Sequence, residues 1–159
     1  MIHNETSRDI DRSAHEVFDF IAVNVFENHP KWEREVLEVR RTTPGPVRVG
    51  SRGVMVRQDG RRRSEIEYEC TEFAPDEAVA FRQLDGPFDF AIRETIEPID
   101  ARSSRLHIDV RMQPHGMLRL FEPLMRRDRR GERIADDLVV AVEAVPRRAD
   151  AETVADGGD

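Results

Sequence analysis

Cysteine is nearly missing from this chain: Cys70 stands alone among 159 residues. One thiol makes no intramolecular disulfide and no thiolate metal cluster, so the expected address is the cytoplasm. Long hydrophobic runs are missing too. Nothing approaches the ~20 apolar residues of a membrane helix, and the polar stretch Met1–Ile10 holds no secretory hydrophobic region. Positive charge is in the minority, with 25 basic residues against 32 acidic ones and a net charge of −7. That sign argues against broad nucleic-acid binding, which needs a positive face to release counterions. Strong catalytic signatures are absent: there is no Gly-x-Ser-x-Gly elbow, no P-loop and no His-Glu-x-x-His. His3, His15, His29, His107 and His115 are scattered and form no helical i, i+4 pair. No metal site is expected, and no cofactor is implied.

What remains is an ordinary apolar share of 38% and a charged share of 36%, well above the usual ~25%. One domain is expected over residues 1–146, with a disordered acidic tail at 147–159. Ile2 to Ile10 alternates as a first strand. Ser13-Ala14-His15-Glu16 forms a capping box, and Val17, Phe18, Phe20 and Ile21 follow at helical spacing. Phe26 to Trp32 makes a second short helix, limited by Pro30. Period-two patterns then place strands at Val36–Arg41, Val49–Gln58, Arg62–Phe73, Ala78–Leu84, Phe88–Glu97 and Arg105–Met112. Asp59-Gly60 signals a hairpin. Ile66, Tyr68 and Cys70 share one face; Glu65, Glu67, Glu69 and Thr71 share the other. One buried and one wet face is the mark of an antiparallel sheet. From Met117 to Val145 the spacing predicts one long helix, with an apolar stripe of Leu120, Leu124, Ile134, Leu138, Val142 and Val145. Pro123 should kink it. The fold class is α+β: a curved antiparallel sheet of six to seven strands, two short helices after strand 1, and a long C-terminal helix across the concave face.

Several segments resemble one family. Asp11-Arg12-Ser13-Ala14-His15-Glu16-Val17-Phe18 is similar to the opening of the START-like (SRPBCC) superfamily. His29-Pro30-Lys31-Trp32 resembles its second short helix. Val49-Gly50-Ser51-Arg52-Gly53 and Thr71-Glu72-Phe73-Ala74-Pro75 resemble two of its strand boundaries. Leu118 to Leu124 resembles the start of its C-terminal helix. The likeness covers residues 2–145 and is closest to the polyketide cyclase/dehydrase-like branch. It implies a helix-grip fold with an internal cavity between sheet and helix. The cavity would hold a small hydrophobic or amphipathic ligand, lipid-like or polyketide-like. The superfamily includes both carriers and enzymes, so fold does not choose between them.

Glu94 is the residue of most chemical interest. Strict alternation from Phe88 through Ile96 puts it on the face of Phe90 and Ile92. An inward carboxylate among apolar groups has a raised pKa and can act as general acid or base. A bulge at Arg93-Glu94 would instead turn it outward, and an inward arginine would make it structural. Arg52 and Arg57 have opposite parity on one strand, so one of them can point inward and clamp a ligand carboxylate or enolate. Tyr68 shares the inner face, and its hydroxyl needs a partner. The candidate catalytic set is Glu94, Tyr68 and Arg52. The candidate ligand-binding set is Trp32, Met55, Tyr68, Phe81, Phe88, Phe90, Ile108, Met112 and Leu120. Three functions follow: a ligand-binding protein, a cyclase/dehydrase-type enzyme, or an interaction module using the arginine-rich run Arg126–Arg133. The expected assembly is a monomer or homodimer.

Overall fold

Strand β1 (Ile2–Ile10) stops at Asp11-Arg12, where Ser13 turns the chain into helix α1 (Ala14–Phe18). The Ser13 hydroxyl oxygen accepts the Glu16 amide at 3.2 Å and donates to the Glu16 carboxylate at 3.1 Å. That satisfies a helix-end amide which has no partner within the helix. A π-helical turn (Asp19–Val23), helix α2 (Val25–Asn28) and a 3₁₀ turn (His29–Lys31) complete this layer. Their apolar side chains Val17, Phe18, Phe20, Ile21 and Phe26 are all buried. The computed structural model describes residues 1–147.

Six further strands follow: β2 (Val36–Arg41), β3 (Arg52–Asp59), β4 (Arg62–Ala74), β5 (Ala78–Gln83), β6 (Phe88–Pro98) and β7 (Ser104–Pro114). They form one seven-stranded antiparallel sheet in the order β1-β7-β6-β5-β4-β3-β2. β3 begins three residues later than the alternation suggests. Gly50 has a φ of +90°, and Ser51 turns back to accept the Arg48 amide, so Val49-Gly50-Ser51 is a turn. β4 carries a bulge between Cys70 and Glu72. The extra residue restores Phe73 to the inner face, where it meets Phe18 edge-on at 5.1 Å.

The outer face holds the charge in cross-strand ion pairs, among them Arg93–Glu72 at 2.7 Å and Arg105–Asp9 at 2.7 Å. The inner face holds the core, in which Ile10, Val79, Ile96 and Leu106 pack with the α1–α2 layer.

The C-terminal helix is present as expected, but its start at Met117 and its continuity are corrected. The segment divides into a 3₁₀ stretch (Gly116–Phe121), helix α3 (Glu122–Met125) and helix α4 (Arg130–Glu143). A 3₁₀ turn advances ~120° per residue, so spacing counted at 3.6 residues per turn loses its phase there. Pro123 sits at the start of α3, and Asp128 accepts the Arg130 amide at 2.9 Å, starting α4 afresh. Of the expected stripe only Leu138 and Val142 are buried in the core, and Ile134 is half-buried against it. Leu124 and Val145 are exposed. The expected tail at 147–159 lies, apart from Arg147, outside the described residues. Arg147 itself pairs with Asp11 at 2.5 Å.

Candidate functional site: an apolar groove with an unpaired carboxyl

Strand register places the inner-face side chains row by row. Gly53, Met55, Arg57 and Asp59 of β3 stand opposite Tyr68, Ile66, Ser64 and Arg62 of β4. Phe81 of β5 is opposite Ile92 of β6, and Val79 is opposite Glu94. Ile92, Glu94 and Phe90 are opposite Val110, Ile108 and Met112 of β7.

Burial along these rows is graded. At one end Ile96, Leu106, Val79 and Cys70 are buried. Toward the other end Met55, Ile66, Phe88, Phe90, Ile92, Ile108, Val110 and Met112 are only half-buried. That second end is where β3 and β4 join at the Asp59-Gly60 hairpin, β6 starts and β7 finishes. The inner face is therefore a groove closed at one end and open at the other. Helix α4 packs chiefly against β1, with Leu138 and Val142 in the core.

Glu94 sits where half-buried turns to buried. It is 6% exposed, and the β6 pairings run through it on both sides without a bulge. Among the described residues it has no hydrogen-bond or ion-pair partner. Arg93 next to it points to the outer face, where Glu72 binds it in two places. Burial alone pushes the Glu94 carboxyl up to about 8. At neutral pH it carries its proton, and it can donate one hydrogen bond and accept another.

Tyr68 is the second unpartnered polar group. Its hydroxyl is buried without a hydrogen-bond partner among the described residues. Its ring lies between Phe26 (6.0 Å) and Phe81 (5.7 Å). Burial raises the phenol above its ordinary value. Gly53 makes room here, because a Cβ at that position would come within 2.5 Å of Phe26. Tyr68 and Glu94 do not form one proton relay. Tyr68 is level with Gln83 and Glu94 with Val79, roughly 13 Å apart along β5 at ~3.3 Å per residue and two strands across. They can address two parts of one ligand.

Arg52 is corrected. It lies on the outer face, half-exposed, against Glu67 (3.7 Å) and Glu69 (3.4 Å). The inward arginine is Arg57, and it is already occupied. It binds Glu33 at 2.8 Å and Asp59 at 3.1 Å. His29 adds a 2.8 Å contact to Glu33, and Arg130 reaches Asp59 at 3.3 Å. Burial would raise Glu33, but the hydrogen bond from His29 and the charges of His29 and Arg57 outweigh it and hold the carboxyl at about 2. This network ties the 3₁₀ turn, β3 and α4 together at the open end. Sequence reading missed Glu33 and Asp59. The available signal was the parity of Met55, Arg57 and Asp59 upstream of the hairpin.

The remaining candidates divide. Met55, Phe88, Phe90, Ile108 and Met112 line the groove, and Phe81 lies in its floor. Trp32 is buried in the core, with its ring against Phe20 (5.5 Å) and a stacked His29 (4.9 Å). Leu120 is corrected: it is 76% exposed and contributes no wall. Cys70 donates to the Glu72 carbonyl at 3.3 Å, and burial pushes its thiol up to about 11, the opposite of a nucleophile. His3, Glu5 and Asp109 bring three donor atoms within 4.8 Å on the exposed outer face, but His3 is already hydrogen-bonded to Asp109. An open depression of about 790 Å³ lies elsewhere, beside α1 and the β4–β5 turn. It contains no unpaired buried group, so the groove at Glu94 is the better candidate.

Comparison with known proteins agrees with this architecture. A family model described as polyketide cyclase/dehydrase and lipid transport matches residues 1–143. No curated protein matches the chain in sequence. Among solved structures, the Zhui aromatase/cyclase from Streptomyces sp. R1128 superposes with a TM-score of 0.72 at 15% identity, covering 99% of this chain and 98% of that one. A START superfamily protein from Mycobacterium smegmatis gives 0.71 at 14% identity, covering 89% and 94%. Norcoclaurine synthase from Thalictrum flavum, solved with dopamine and hydroxybenzaldehyde, gives 0.68 at 12% identity, covering 92% and 88%. These likenesses establish a shared fold.

Proposed function

The chain belongs to the polyketide cyclase/dehydrase and lipid transport family, and from that premise we propose that its groove binds one small apolar or amphipathic molecule whose polar group meets Glu94. The observation that carries this reading is the isolated Glu94 carboxyl. An unpaired polar group in apolar surroundings costs roughly 1–3 kcal/mol. A ligand carbonyl or hydroxyl at that point removes the cost. The walls supply the main driving force, at ~25 cal/mol per Å² of apolar surface covered. Met55 and Met112 suit ligands of varied shape, because an unbranched thioether adapts to its neighbour. The same reading places the protein in the cytoplasm as a monomer or homodimer.

The test is calorimetric titration with 1-naphthol, a bicyclic aromatic of polyketide type. One saturable site is expected. Glu94→Gln should bind within a factor of about three, because an amide still donates and accepts. Glu94→Leu should bind about tenfold more weakly, the equivalent of one lost hydrogen bond. Absence of saturable binding in the unsubstituted protein overturns the reading.

A second reading, an enzyme of the cyclase/dehydrase type, is favoured by one feature: a carboxyl that titrates near neutrality inside a ligand groove. There the groove would hold a polycarbonyl chain in a folded pose, and positioning would supply much of the rate. Glu94 would hand a proton to a carbonyl oxygen or take one from carbon. Under this reading Glu94→Gln keeps binding and loses turnover.

A further inference from the structure

Residues 116–130 cross the open end of the groove. The His115 amide donates to the Pro87 carbonyl at the start of β6 (3.0 Å), the Met1 amino group binds Glu122 (3.0 Å), and Arg130 reaches Asp59 at the β3–β4 hairpin. This segment is apolar on its exposed side. Met117 is 81% exposed, Leu120 76%, Leu124 68% and Phe121 56%. Four large apolar side chains in eight residues, all turned to water, form a contiguous patch of the kind that marks a docking surface.

The segment is also basic inside an acidic protein. It holds Arg119, Arg126, Arg127, Arg129 and Arg130 against Glu122 and Asp128 alone. Both acids are already used. Glu122 is largely covered and binds Met1 and Arg126, while Asp128 caps α4 and faces Arg130. Arg119, Arg127 and Arg129 have no carboxylate partner among the described residues, and Arg127 and Arg129 are exposed.

We propose that the 116–130 segment is a docking surface for an anionic lipid bilayer, set at the mouth of the groove. Exposed aliphatic side chains ringed by arginine fit a headgroup boundary, where apolar groups enter the acyl region and cations stay with the lipid phosphates. A second copy of the chain fits less well. A twofold contact would set this positive segment against itself. Nucleic acid would leave Leu120 and Leu124 without an apolar partner. The described helices are too short and polar to cross a membrane, so the contact is peripheral. Exchange of ligand at the bilayer rests on the binding reading above; docking itself does not.

The test is co-sedimentation of the full chain with vesicles of phosphatidylcholine alone or with 30% phosphatidylglycerol, without added ligand. Binding to the anionic vesicles is expected to exceed binding to the neutral ones at least tenfold and to fall in 0.5 M NaCl. Leu120→Asp with Leu124→Asp should abolish binding. Arg127→Glu with Arg129→Glu should weaken it at least tenfold. Both pairs lie on the surface and should leave the 1-naphthol titration unchanged, which separates this failure from failure of the groove reading. Three results overturn the proposal: no vesicle binding, equal binding to both compositions, or undiminished binding by the variants. Sedimentation velocity showing a dimer that these substitutions dissociate would assign the patch to a second copy and also overturn it.

Discussion

Glu94 combines two features that seldom occur together, burial and lack of a partner. That combination has a thermodynamic signature. A carboxyl raised from an ordinary 4.5 to about 8 stays protonated in the folded chain while it ionises in the unfolded one. Between those values the folded state binds the extra proton, so stability falls as pH rises, by up to about 1.4 kcal/mol per pH unit. Glu94→Gln removes that proton. We expect thermal melts of the two proteins to coincide near pH 5 and the variant to be the more stable at pH 8. Parallel melting curves across that range would contradict the environment described for Glu94. The position was legible in the sequence, because an unbroken alternation from Phe88 to Ile96 fixes the face. Its isolation was not legible. That depended on Arg93 finding Glu72 on the outer face and on Arg57 being engaged by Glu33 and Asp59. Choosing between Arg52 and Arg57 was within reach of the sequence. A hairpin at Asp59-Gly60 sets Asp59 against Arg62, and counting back sets Arg57 against Ser64, on the side of Ile66 and Tyr68.

Among elements, strands were read more faithfully than the C-terminal helix. Side-chain period in a strand is a local steric fact; β6 and β7 obey it over 11 residues each, and β4 obeys it up to its bulge after Cys70. The helix depended on long-range events. Met1 binding Glu122, Arg130 binding Asp59 and the 3₁₀ geometry at Gly116–Phe121 together break it into three parts. The Arg57 network matters most at this level, since it joins three elements at the mouth of the groove. Arg57→Met leaves Glu33 buried with only His29, and we expect a loss of roughly 2–4 kcal/mol at pH 7 in urea unfolding, below the full range for dry pairs because water reaches the site. The sign with pH follows from the direction of the shift. Glu33 is held at about 2, so its stabilising share is complete above its unfolded value of 4.5 and is lost as pH falls toward 2. The difference between Arg57→Met and the unsubstituted protein should therefore shrink at pH 3.5. A constant difference would show that Arg57 stabilises by packing instead.

In the molecule as a whole, the missing features of the sequence acquire locations. Much of the charged 36% is held in ion pairs, several of them across the outer sheet face, while arginines without a carboxylate partner among the described residues stand at 116–130 and at the Arg61-Arg62-Arg63 hairpin tip. The apolar share fills the closed end of the groove and only lines the open end. Sequence patterning showed a one-sided sheet but not this gradient, because the gradient is set by where the C-terminal segment crosses. The central claim is that an apolar molecule enters the open end and reaches Glu94, and the five methionines report on it. Met55 and Met112 line the groove; Met1, Met117 and Met125 lie outside it. With ¹³C-methyl-labelled methionine, titration of 1-naphthol followed by NMR should shift the Met55 and Met112 methyl signals together and saturably, leaving Met1 and Met125 in place. Unmoved Met55 and Met112 signals, or a response confined to Met117, would contradict the account.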